Sequence, residues 1–111
     1  MAQKEVTFEF EGQRYTLTFT RKTVQQLSQA GFKPDMVTDQ PAVGIPMLFN
    51  GAFVANHRFI KTDVRDRIYE AITNKTDFIG KLLALYLEPI NEMLEDPPED
   101  SEKNVSWEAN F

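Results

Sequence analysis

Apolar and polar residues alternate along the first twenty positions, and this alternation predicts two β-strands. Apolar side chains stand at positions 6, 8 and 10 and again at 15, 17 and 19, with polar ones between them. Period-two alternation rich in aromatic and β-branched residues is typical of half-buried strands. A two-residue Gly12-Gln13 turn of type II′ would join the strands. That register pairs position 10 with 15, 8 with 17 and 6 with 19, so all six apolar side chains share one face.

After these strands the hydrophobic period changes to that of a helix. Helical segments are predicted at about 21–30, 62–74 and 76–94. The first is expected to stop at Gly31 with Phe32 packed back on it, and the second to use Thr62 as its N-cap. Pro89 lies inside the third segment, where it should kink the helix because it lacks an amide donor.

These elements predict an α+β fold in one domain. Residues 1–96 are expected to form an N-terminal antiparallel hairpin packed on a mainly helical body, and residues 97–111 a flexible acidic tail. The net charge of −5 is unevenly spread, since residues 88–111 carry −7 and residues 1–87 carry +2. Such a tail either only aids solubility or docks on a basic partner surface.

Two apolar stretches carry the candidate contacts with other chains. Residues 40–56 contain no charge, and the last helix is apolar around most of its circumference. Both are expected to be buried, yet their faces exceed what a small domain is expected to cover, so a binding groove or a homo-oligomer contact is the alternative. The candidate contacts here are Phe49, Phe53, Leu83 and Tyr86.

The tail holds the only tryptophan of the chain, Trp107, four residues before Phe111. Together with Val105, this aromatic pair in a polar, acidic context is typical of a short docking motif. The alternative is that Trp107 anchors the tail on its own domain.

Candidate chemistry is sparse. There is no cysteine and one histidine, His57, which is expected to lie at a helix end and bind terminal carbonyls. No phosphate loop, nucleophile elbow or metal-ligand spacing is present, so no catalytic residue, no cofactor and no metal is predicted, and the protein is not expected to be an enzyme. The first residues contain no secretory signal pattern, and a cytoplasmic location is expected.

Several stretches nevertheless resemble one family. The segments AGF (30–32), PMLFNGAF (46–53), NHRF (56–59), IGKLLALYLEPINEMLED (79–96) and NVSWEANF (104–111) are similar to those of small tailed-phage and prophage proteins from Gram-positive hosts. That family resembles tail assembly chaperones in size, acidity and helical content.

The resemblance implies a non-enzymatic assembly factor in the bacterial host cytoplasm. Such chaperones are thought to coat the tape measure protein, whose helix exposes apolar stripes, until tail tube subunits replace them. In this chain Phe49, Phe53, Leu83 and Tyr86 would supply apolar contact. The tail, with Trp107, would recruit tube subunits or a neighbouring copy.

Two alternatives stay open. The chain could be a phage-encoded regulator or inhibitor that binds a host protein or nucleic acid, or a minor structural head–tail component. The only candidate patch for nucleic acid consists of Arg58, Lys61, Arg65 and Arg67. Because no aromatic or glycine-rich nucleic-acid motif accompanies these cations, they are expected to be solvated helix charges, and neither nucleic acid nor membrane is expected as a partner.

Overall fold

The structure is a computed structural model that describes residues 4–96 and 104–111. Within these residues the chain forms two strands followed by six helices. The elements are β1 (Val6–Phe10), β2 (Gln13–Leu17), α1 (Arg21–Gln29), α2 (Met36–Asp39), α3 (Pro41–Ala52), α4 (Val54–His57), α5 (Thr62–Ala71) and α6 (Lys75–Met93). An antiparallel hairpin followed by a helical body confirms the predicted α+β class.

The hairpin has the predicted apolar face but not the predicted turn. The turn residues are Glu11 and Gly12, with φ of 50° and 79°, and Phe8 pairs with Tyr15 instead of with Leu17. Two consecutive positive φ angles define a type I′ turn, whose twist matches that of the strands. The prediction of a Gly12-Gln13 turn was therefore wrong, because the turn lies one residue earlier in the chain. This moves the pairing by two residues and leaves every side chain on the expected face.

Local signals fix both ends of α1. Thr20 accepts a hydrogen bond from the amide of Thr23 and its own amide donates to the Thr23 hydroxyl, at 3.2 and 2.8 Å. This reciprocal pair satisfies amides that the first turn leaves free. At the other end Gly31 adopts φ of 105° and the amide of Phe32 donates to the carbonyl of Leu27 at 3.2 Å. The predicted stop at Gly31 is confirmed.

The uncharged stretch, residues 40–56, forms two helices. The helix α3 ends at Ala52, and α4 begins at Val54 after Phe53. The α3 helix packs against α1, α2 and α6, so it lies at the centre of the helical body. Gly44 allows the closest of these approaches, because a Cβ atom built there would lie 2.6 Å from the backbone of Met36 in α2.

The last two helices also differ in detail from the prediction. Lys61, not Thr62, is the N-cap residue of α5, and no side chain caps it. Asn74, in a left-handed conformation with φ of 53°, separates α5 from α6. Lys75 donates from Nζ to the carbonyl of Ile72 at 2.8 Å, so a cation satisfies the end of α5. The α6 helix continues through Pro89 to Met93.

Aromatic rings form a large part of the core. One chain of ring contacts runs from the hairpin through α3 to α5, and a second cluster joins the end of β2 to α6. The edge-to-face and offset geometries of these pairs are those that favour aromatic packing. The rings of the first chain are Phe8, Tyr15, Phe53, Phe49 and Tyr69, and those of the second are Phe19, Tyr86 and Phe32.

Candidate interaction surfaces

Three of the apolar residues predicted to contact a partner lie in the core of the domain. Phe49, Phe53 and Tyr86 are 3%, 1% and 3% exposed. The Phe49 ring lies 5.0 Å from the rings of both Phe53 and Tyr69, so its contacts are made within the chain. Leu83 is half-buried against the same core. We therefore correct the prediction, because packing inside the domain accounts for these side chains and leaves little of them for a partner.

Burial also sets the chemistry of Tyr86. Its ring packs edge-on against Phe19 and Phe32, at 5.4 and 5.0 Å between centroids. Removal of the phenol from water raises the pKa of Tyr86 above the ordinary 10.0, and a side-chain hydrogen bond with Ser28 opposes part of that rise. Tyr86 thus acts as a neutral core residue that joins α6 to α1.

The predicted tail contacts, in contrast, are available. Val105, Trp107 and Phe111 are 85%, 81% and 113% exposed. Trp107 therefore does not anchor the tail on its own domain in this structure. Large apolar side chains in water cost free energy unless something covers them, so this segment is the strongest candidate contact for another chain.

A further exposed aromatic residue, Phe59, lies just after α4, where no sequence signal singled it out. Phe59 is 91% exposed, and the Arg58 guanidinium lies 5.9 Å from the centroid of its ring. Beside it is a cleft that we call the basic cleft, lined by Tyr15, Val54, Arg58, Phe59, Ile60 and Lys61 among others. The described residues that line this cleft include no carboxylate. The basic cleft thus combines apolar surface with two cations.

His57 and Asn56 form the wall of this cleft and cover the free edge of the hairpin. The amide of Thr16 donates to Nε2 of His57 at 3.0 Å, and Nδ2 of Asn56 donates to the Thr16 carbonyl at 3.1 Å. The His57 ring also packs on Tyr15, with 5.1 Å between centroids. The expectation that His57 binds helix-terminal carbonyls was therefore wrong. Its ring nitrogen accepts a hydrogen bond from a strand edge that would otherwise be open to pairing.

A third surface is the groove between α3 and α5, which we call the α3–α5 groove. Its floor is formed by Pro41, Ile45, Pro46 and Phe49, and Asp66 and Glu70 lie on its rim. An apolar floor beside carboxylates suits an apolar segment that carries basic residues at its edge.

The four cations considered for nucleic acid do not act as one patch. Arg67 pairs with Glu11 and lies over the Phe10 ring, with 5.7 Å from its guanidinium carbon to the centroid. The Nε atom of Arg65 is buried. Only Arg58 and Lys61 remain together, in the basic cleft. The structure thus places these cations in different contacts.

No cluster of three or more potential metal ligands occurs within residues 4–96 and 104–111. None of the helices in these two ranges combines the length and the apolarity that crossing a membrane requires.

Comparisons with known proteins give a family but no characterised relative. No curated protein matches the chain, and no solved structure matches it. A family match covers residues 1–111, which is the whole sequence. The chain therefore belongs to the family described as a domain of unknown function, DUF5055.

Proposed function

We propose that this protein is a non-enzymatic tail assembly chaperone of a tailed phage or prophage, which binds the tape measure protein or the tail tube protein. Two lines of argument support the proposal. The segments quoted above resemble those of small phage and prophage proteins over nearly the whole chain. The folded domain also leaves large apolar side chains in water, which is the property of a protein that binds other polypeptides.

The exposed apolar side chains carry the proposal. The core is already filled by the aromatic rings of the hairpin, α3 and α6, yet Phe59, Trp107 and Phe111 remain more than 80% exposed. In a domain with a complete core these residues do not contribute to folding. Their exposure is explained if they bind other chains.

The α3–α5 groove is the site that we assign to the tape measure protein. A tape measure helix has apolar stripes, which would lie on the floor formed by Ile45 and Pro46. Basic residues beside such a stripe would meet Asp66 and Glu70 on the rim. Binding of this kind is weak and repeated, and tube subunits would be able to displace it.

Co-expression with the tape measure protein of the same phage or prophage tests this assignment. The wild-type chain should increase the fraction of tape measure protein that stays soluble. Ala42→Arg should abolish that gain, because Ala42 is exposed and lines the groove, and a long side chain would fill it. Val43→Arg is the matched control: Val43 is the next residue of α3, is 51% exposed and does not line the groove.

Three measurements separate this proposal from its alternatives. If the wild-type chain gives no gain in soluble tape measure protein, the chaperone assignment is wrong. Presence of the protein in purified phage particles would indicate a structural head–tail component instead. Binding to DNA that weakens steeply with salt would indicate a regulator that uses Arg58 and Lys61.

A further inference from the structure

We infer that the aromatic C-terminal segment of one copy, residues 104–111, docks in the basic cleft of a second copy. The contact is heterologous, since each copy offers its segment to one neighbour and its cleft to another. Head-to-tail contacts of this kind build an open chain of copies, or a ring where the rotation closes. The inference does not depend on the proposed function, because it concerns the isolated protein alone.

Charge complementarity selects the basic cleft from the surfaces of the domain. The segment contains Glu108 and follows a strongly acidic stretch, so that residues 95–111 together carry a net charge of −5. Residues 53–62, which form most of the cleft, carry two cations and no carboxylate. The α3–α5 groove has Asp66 and Glu70 on its rim and would repel an acidic segment. Attraction of the segment is thus expected at the basic cleft and not at the groove.

The apolar surfaces also match. The segment exposes Val105, Trp107 and Phe111. The cleft exposes Phe59 and has a volume of about 560 Å³, within the range of clefts that hold ligands of drug size. Docking would cover exposed apolar area on both partners at once, and the desolvated aromatic contacts would supply most of the affinity.

The exposure of both surfaces within one copy favours a second copy as the source of the segment. Trp107 and Phe111 of the segment are 81% and 113% exposed, and Phe59 of the cleft is 91% exposed. The segment of one copy therefore does not cover the cleft of the same copy in this structure, and both surfaces are available to a neighbouring copy.

The single tryptophan makes the contact directly measurable. Because Trp107 is the only tryptophan, fluorescence excited at wavelengths that tyrosine does not absorb reports the surroundings of the segment. As the protein concentration rises from about 1 μM to 1 mM, a range that spans weak protein contacts, the emission maximum should move to shorter wavelength. The mean mass in sedimentation velocity should increase over the same range. A shift that does not depend on concentration would mean docking within one copy and would overturn the inference, as would the absence of any shift.

Charge reversal tests the cleft. Arg58→Glu together with Lys61→Glu should weaken the association at least about tenfold, since like charges would then face each other. Lys22→Glu together with Lys33→Glu is the matched control, because it makes the same change in net charge at exposed positions that do not line the cleft. Equal weakening by both pairs would indicate a general charge effect and would overturn the assignment of the cleft.

A mixing experiment tests the heterologous geometry. The Arg58→Glu/Lys61→Glu chain keeps its segment and its tryptophan, and a Trp107→Ser/Phe111→Ser chain keeps its cleft but has no tryptophan. Neither should associate alone. Mixed, they should form a dimer and no larger species, with a blue shift of the remaining tryptophan. If the mixture stays monomeric while the wild type associates, the two surfaces do not bind each other and the inference is wrong.

Discussion

The close packing of α3 on α2 can be tested with two single variants, each of which replaces one glycine with alanine. Gly44 lies where α3 meets α2, and Gly80 lies in α6 with no atom within 4 Å of the position of a Cβ. Glycine inside a helix is less favourable than alanine by about 0.8–1 kcal/mol. Gly80→Ala should therefore stabilise the protein by nearly that amount, because the added methyl group meets nothing.

Gly44→Ala should have the opposite sign. Its Cβ would lie 2.6 Å from both the carbonyl carbon and the oxygen of Met36, and 2.8 Å from the Met36 Cβ. Backbone atoms cannot rotate away, so α2 would have to shift by most of an ångström to restore ordinary contact. Overpacking of this kind costs about 1–3 kcal/mol, which exceeds the gain in helix propensity. The net result should be a loss of up to about 2 kcal/mol.

Urea unfolding followed by far-ultraviolet circular dichroism measures both changes. Tryptophan fluorescence is unsuitable because Trp107 lies exposed in the C-terminal segment and does not sense the core. The two variants should lie on opposite sides of the wild type. Thermal unfolding followed by the same signal should show the same order, since for 111 residues a change of 1 kcal/mol corresponds to about 4 °C in Tm. A Gly44→Ala protein as stable as Gly80→Ala would refute the close approach of α2 and α3.

Two further substitutions test the edge of the hairpin and the buried phenol. His57→Phe keeps an aromatic ring on Tyr15 but leaves the Thr16 amide without its acceptor, so the free energy of unfolding should fall by about 1–2 kcal/mol. The free energy should fall less in His57→Gln, because the glutamine side chain offers an oxygen as acceptor. Equal losses in the two variants would mean that the hydrogen bond does not contribute to stability. Burial raises the pKa of Tyr86 above 10.0, so above pH 10 the unfolded chain releases a proton that the folded chain keeps. The stability that this difference provides is complete below pH 10 and is lost as the pH rises through the folded value. Tyr86→Phe should therefore lose less stability than the wild type in urea titrations between about pH 9 and 11, and parallel losses would contradict the burial effect.

The sequence was sufficient for the hairpin faces but not for its register. Alternation determines which side chains share a face, and a change of register by two residues leaves that result unaltered. The choice between Gly12-Gln13 and Glu11-Gly12 depends on backbone angles at the turn, and a glycine suits either type. Glu11 adopts φ of 50°, and nothing in the composition of the turn indicates this conformation. The sequence therefore did not identify Glu11-Gly12 as the turn.

The candidate site was only half predictable for a related reason. Apolar periodicity identified Phe49 and Tyr86 as parts of a wide apolar face, but periodicity does not state how much of that face the rest of the chain covers. Tyr69 of α5 covers Phe49, and Phe19 and Phe32 cover Tyr86, so both residues are buried. Trp107 was found because an aromatic residue in an acidic segment stands out by composition. His57 was misjudged because its partner, Thr16, lies 41 positions earlier, and no local pattern reports such a pairing.

The distribution of aromatic residues bears on what the exposed ones do. Phe19, Phe32, Phe49 and Phe53 and their ring partners fill the core, so the fold would lose nothing if Phe59 were polar. An exposed phenylalanine between Arg58 and Lys61 attracts an acidic aromatic peptide, and the chain itself supplies one. Selection for solubility alone would remove two surfaces of one polypeptide that bind each other, because together they promote head-to-tail association of copies. Their presence together supports the proposal that association is part of the function and that a later partner ends it.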